Sequence, residues 1–83
     1  GLKVVIPTTP YDAKGLLISS LRDPNPVIFI EHRWLHNSEG VVPRGQYSLD
    51  LGKSKILKKG KDITIISTSF MTPEFKKIYK ILD

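Results

Sequence analysis

The sequence predicts an α/β chain: a strand-helix-strand unit with a parallel sheet, then a long linker, then the opening of a second α/β unit. Three observations carry this. Two short apolar runs, Leu2–Ile6 and Val27–Ile30, flank a segment with helical spacing and clear start and stop signals. Residues 31–47 then lose all periodicity, as a surface connection does. A third β-branched run, Ile63–Ser67, is followed by a proline-led amphipathic stretch.

Taking the elements in order, Leu2-Lys3-Val4-Val5-Ile6 is rich in β-branched residues and reads as a buried strand that Pro7 ends. Thr9 is placed to cap a helix, Pro10 suits its first position, and Asp12 lies three residues beyond the cap, where a carboxylate favours the positive helix end. Leu16, Leu17, Ser20 and Leu21 supply an apolar stripe with a polar interruption. Asp23-Pro24-Asn25-Pro26 stops the helix, because neither proline continues it. Val27-Ile28-Phe29-Ile30 is apolar without alternation, the pattern of a parallel strand covered on both faces. Beyond the polar stretch, Tyr47, Leu49 and Leu51 alternate as in an extended ribbon reaching a turn at Lys59-Gly60-Lys61. Thr72, Pro73 and Glu74 open the last helix, with Phe75, Ile78, Tyr79 and Leu82 on one side and Lys76, Lys77 and Lys80 on the other.

Composition bounds the function. With 83 residues, 40% hydrophobic and 25% charged, the chain is ordinary globular material, too short to hold much stability in reserve. It has no cysteine, so neither a disulfide nor a thiolate metal site staples it. No apolar run approaches a membrane span, and no targeting pattern opens the chain, so no membrane role is expected and a bacterial cytoplasm or an organelle matrix is the expected setting. Gly1 stands in place of an initiator Met, and Asp83 lacks a glycine cap and puts an acid at the negative helix end; both read as the ends of a cut or processed piece. The net charge of +5 gathers at Lys53, Lys55, Lys58, Lys59 and Lys61 and again near the end. A solvated lysine-rich face explains this without nucleic acid.

Several motifs fail on inspection. His32 and His36 have the spacing of a helical zinc pair, but Arg33 stands where that motif needs Glu, and the segment reads as non-helical. They read as exposed or interface histidines. Gly52-Lys53-Ser54 echoes a phosphate loop, yet Tyr47 occupies the place of its first glycine. Ser67, Thr68 and Ser69 lack a Gly-x-Ser-x-Gly frame and read as a polar loop. Trp34 and Leu35 either anchor the linker on its own domain or fill a subunit interface.

The order of the pieces carries a resemblance. Gly1–Pro7, Thr9–Leu17, Arg22–His32, Val42-Pro43, Leu51–Lys53 and Gly60–Ile65 together resemble the beta subunit of the decarboxylating component of 2-oxo acid dehydrogenases, the pyruvate and branched-chain types in particular. The resemblance is collinear along the chain. It implies a partial transketolase-like fold: residues 1–32 close the pyrimidine-binding domain, 33–58 form the linker and ribbon, and 59–83 open the C-terminal domain. It also implies thiamine diphosphate and magnesium in the complete enzyme. Their site would be shared with an alpha subunit, in a heterotetramer holding a second beta subunit and delivering acyl groups to lipoamide on a lipoyl acyltransferase core. The family's glutamate and active-site histidines would fall before residue 1, so no catalytic or cofactor-binding residue is carried over, and the isolated chain is expected to be inactive. A structural potassium ion is implied at the end of the first helix, matching Ser20, Leu21, Asp23 and Asn25. Transketolase or deoxyxylulose phosphate synthase shares the outline, but the Tyr11–Gly15 run and the Pro24-Asn25-Pro26 turn argue against them. A basic binding module using the lysine cluster is the alternative from another class.

Overall fold

The computed structural model describes residues 1–82. The expected end at Asp83, and the helix faces expected of Lys80 and Leu82, lie outside what is described. Strand β1 (Lys3–Val5), helix α1 (Pro10–Arg22), strand β2 (Val27–Phe29), a short 3-10 helix (Arg33–Asn37) and helix α2 (Met71–Leu82) follow one another. The α/β class is as predicted. β1 and β2 pair in parallel with Lys3 opposite Val27, Val4 opposite Ile28 and Val5 opposite Phe29. The ladder extends outward through Lys3 N–H to the Pro26 carbonyl at 3.0 Å and Ile30 N–H to the Val5 carbonyl at 2.8 Å.

Helix α1 begins as its sequence dictates. Thr9 is extended and its hydroxyl accepts the Asp12 N–H at 3.1 Å, satisfying one of the helix's orphan donors. The helix ends because Asp23, standing before Pro24, is driven into the extended region.

The two sheet faces differ sharply. Val5 is buried, and Val27 and Phe29 are partly covered. On the opposite face Val4 and Ile28 stand 56% and 45% exposed, and exposed Leu2, Ile6 and Ile30 continue the same alternation past the strand ends. Among the described residues, Val5 is the only buried branched-aliphatic or aromatic side chain. The predicted stripe on α1 is likewise open: Leu17 is exposed, and Leu21 is 79% exposed.

A strap crosses α1. Tyr47 stacks on Tyr11 with ring centroids 4.8 Å apart, and its phenol donates to the Tyr11 carbonyl at 2.7 Å. Burial of the phenol, next to Tyr11 and Asp12, pushes its pKa above the ordinary value. Lys14 donates to the Pro43 carbonyl at 2.6 Å, and Arg22 to Gln46 at 2.9 Å. The strap comes so near the helix that a Cβ on Gly15 would lie 2.6 Å from Leu49 Cγ.

Three expectations are corrected. Ile63–Ser67 forms no strand: among the described residues nothing pairs with it, and Ile66 is 89% exposed. β-propensity without a neighbouring strand closes no ladder. Among the described residues, 47–57 join no sheet, and Tyr47 and Leu49 bond to α1. Residues 33–37 do form a helix, a single 3-10 turn that His32 caps by accepting the Trp34 N–H at 3.1 Å. α2 starts at Met71, slightly earlier than Thr72 and Pro73 suggested; Ser69 turns the chain with φ 55°, and its carbonyl accepts the Thr72 N–H at 3.1 Å. The Thr72 side chain is buried against Ser67, with the hydroxyls 2.9 Å apart.

The accessible surface is 6999 Å². A compact protein of 9.4 kDa would expose about 5,000 Å². The radius of gyration is 14.1 Å, against about 12 Å for a compact chain of this length. The roughly 2,000 Å² of surplus matches what an obligate interface covers. The isolated 83-residue chain is therefore expected to lose helical circular dichroism gradually with urea. A sharp transition with a slope near 1 kcal/mol/M or above, the lower range for small cooperative domains, would contradict this.

Candidate functional site

In open α/β sheets, ligands bind beyond the carboxyl ends of the strands. Here the segments leaving β1 and β2 diverge around a cleft of about 220 Å³, walled by Pro7–Pro10 on one side and by Glu31, His32, Leu35 and His36 on the other. The cleft exists because Pro7 ends β1 and the chain turns into the N-terminus of α1, while the 3-10 turn folds the residues after β2 back toward it.

The rim is ordered by local bonds. His36 Nε2 lies 3.2 Å from Glu31 Oε2. His32 Nδ1 accepts the Trp34 N–H, which leaves the proton of a neutral ring on Nε2. The His32 ring stacks on Phe70, with centroids 5.1 Å apart, and Trp34 meets Phe70 edge-on at 5.0 Å. These contacts tie the exit from β2 to the residue preceding α2. Trp34 remains 68% exposed, so it anchors the linker and still presents a free face. Among the described residues neither imidazole bonds to a hydroxyl, and no nucleophile-base pair is assembled. No group of three His, Cys, Asp or Glu side chains among them is placed to hold a metal.

The predicted potassium position lies at the other end of α1. Ser20, Leu21, Asp23 and Asn25 do fall together, in the last helical turn and the turn after it. The Asp23 carboxylate, however, is spent on protein partners. Lys3 Nζ donates to one oxygen at 2.5 Å, and the Asn25 N–H and side-chain amide reach the other at 2.8 and 3.1 Å. The Ser20 carbonyl takes the Asp23 N–H at 3.3 Å. The Lys3 bond, foremost, and the Asn25 N–H hold the Asp23 carboxyl below its ordinary pKa. A helix antiparallel to its strands brings its negative end to the strand start, which is why Lys3 and Asp23 meet.

Comparison with known proteins shows which longer chains contain a matching segment. No family model matches the chain. The beta subunit of acetoin:2,6-dichlorophenolindophenol oxidoreductase from Cupriavidus necator is 52% identical over 71 residues, 86% of this chain and 21% of its own length. The pyruvate dehydrogenase E1 component subunit beta of Staphylococcus aureus is 49% identical over 84 aligned positions, all of this chain and 26% of its own. The Staphylococcus epidermidis protein of the same name matches to the same extent. The chain corresponds to a segment of E1 beta subunits.

It spans about a quarter of the length of the curated relatives it matches. The cleft does not by itself fit thiamine diphosphate. Cofactor pockets usually enclose about 300–1,000 Å³, more than the open cleft offers, and its one carboxylate, Glu31, faces His36. What reading the sequence missed was the strap and the His32-Trp34-Phe70 contact. Small residues four apart at Gly15 and Ser19, opposite the alternating Tyr47 and Leu49, were the available signal for the strap.

The Asp23 contacts generate a pH prediction for the polypeptide carrying this segment. A lowered carboxyl pKa stabilises above the unfolded value, about 3.9, and the gain fades as pH falls through the folded one. Asp23→Asn should melt below wild type at pH 7, with the gap closing on acidification below about pH 4. A gap independent of pH would assign the loss to packing instead.

Proposed function

We propose that this chain is part of an E1 beta subunit serving thiamine-diphosphate- and magnesium-dependent oxidative decarboxylation of a 2-oxo acid, pyruvate foremost, with acyl transfer to lipoamide. The observation that carries the reading is the collinear 49% identity along the whole chain to pyruvate dehydrogenase E1 beta subunits. In this reading the segment has no chemical step of its own. It supplies scaffold: a parallel strand pair whose bare face and edges are covered by the rest of the beta subunit, and exposed positions such as Trp34 that meet an alpha subunit or a second beta subunit. Residues 1–32 close one domain and 59–83 open the next, joined by 33–58. A lipoyl acyltransferase core is the acceptor, and the setting is a bacterial cytoplasm or an organelle matrix. Among the described residues, no helix is long and apolar enough to cross a membrane.

A potassium ion at the end of α1 belongs to the same proposal, held by oxygens of Ser20, Leu21, Asp23 and Asn25. Helix-terminal carbonyls carry the partial negative charge that suits it. Because Lys3 already neutralises Asp23, backbone oxygens would have to dominate. A second substrate reading, acetoin in place of a 2-oxo acid, is favoured by the 52% identity to the acetoin oxidoreductase subunit.

The test is co-expression of the complete beta polypeptide with its alpha subunit, with reduction of an artificial electron acceptor followed on pyruvate and on acetoin. Pyruvate turnover that needs both subunits, and none from the 83-residue chain, is expected. Preference for acetoin would select the second reading, and turnover by the isolated chain would overturn both.

A further inference from the structure

We propose that Ser19 is a reversible latch holding the connecting segment on α1, so that the path from β2 to α2 is set by one helix face. Ser19 Oγ accepts the Leu49 N–H at 3.0 Å and donates to the Leu49 carbonyl at 2.5 Å, so one hydroxyl grips both polar groups of a single backbone residue; the same N–H reaches the Gly15 carbonyl at a longer 3.4 Å. This reproduces the exchange a neighbouring strand would make, on a residue that belongs to no ladder. The approach depends on Gly15, one turn earlier, where a Cβ would meet Leu49 Cγ at 2.6 Å and Tyr47 Cε2 at 2.8 Å.

Reversibility follows from counting hydrogens. A serine hydroxyl has one proton to donate, yet two carbonyls stand within reach, Leu49 at 2.5 Å and Gly15 at 3.0 Å. With the strap docked, the proton serves Leu49. With the strap lifted, it turns to Gly15, the ordinary bond from a helical serine to the carbonyl four residues back. Release therefore orphans no group on the helix, and the Leu49 groups pass to water. Ser20 makes the same backward bond, to the Leu16 carbonyl at 2.7 Å, with no strap contact, and so provides an internal control. The latch acts on the chain's own path, independently of the enzymatic reading. Ser19 is a positioning residue.

The test is amide hydrogen exchange, followed in the complete polypeptide carrying this segment. Ser19→Ala should speed exchange at Leu49 roughly fivefold, the factor for losing one net hydrogen bond, while α1 amides keep their protection. Ser20→Ala should leave Leu49 within about twofold of wild type, well inside that factor. Equal acceleration by both variants, or none by Ser19→Ala, would overturn the latch. Should Ser19→Ala strip protection from α1 as a whole, Ser19→Thr, which keeps the hydroxyl, gives the reading: Leu49 protection close to wild type supports the proposal, and exchange as fast as in Ser19→Ala with α1 intact refutes it.

Discussion

A parallel pair of strands cannot serve as its own core. Each strand leaves one edge of backbone donors and acceptors unpaired, and a pair has two faces, whereas among the described residues α1 is the helix that packs on it. Val5 is buried on the helix side, while Val4 and Ile28 stand open on the other. Most other features of the chain follow from that shortage, including its surplus surface and the exposed isoleucines of 63–66.

Within this limit α1 is the organising element. Its start is fixed by the Thr9 cap and its end by Asp23 standing before Pro24, and the Lys3-Asp23 contact ties that end to β1. Its flank receives the strap at Tyr11, Gly15 and Ser19. Polar contacts join the Tyr47–Tyr11 stack along this flank: each is worth about 0.5–1.5 kcal/mol net, less than a large buried side chain gives. Such a structure keeps its local geometry and gains its stability from whatever covers the open faces.

The sequence was most legible where the cause is local. Thr9, Pro10 and Asp12 announced the helix start, and Asp23-Pro24 its end, because capping and proline sterics act within a few residues. The strand pair was legible because runs apolar on both faces imply parallel pairing. The Ile63–Ser67 strand failed for the opposite reason: its composition favours extension, but a ladder needs a partner that local sequence does not supply. The stripe of Leu16, Leu17, Ser20 and Leu21 marked the helix, while periodicity does not say whether the chain covers that face, and Leu17 and Leu21 stay exposed. The cleft beyond the strand ends and the His32-Phe70 stack join residues far apart in sequence, and no spacing rule encodes such meetings. The four potassium candidates lie within six consecutive residues, so their proximity was given by the sequence itself; the Lys3 ammonium beside Asp23 was invisible because β1 contributes it from twenty residues away.

The shortage of cover on the strand pair is open to direct measurement. Radical footprinting would compare labelling of Val4 and Ile28 in the 83-residue chain with the same positions in the complete beta subunit. Strong labelling in the short chain and protection in the subunit is the predicted result. Equal labelling in both would contradict it, because the sheet's bare face would then be a true outer surface rather than half of a core.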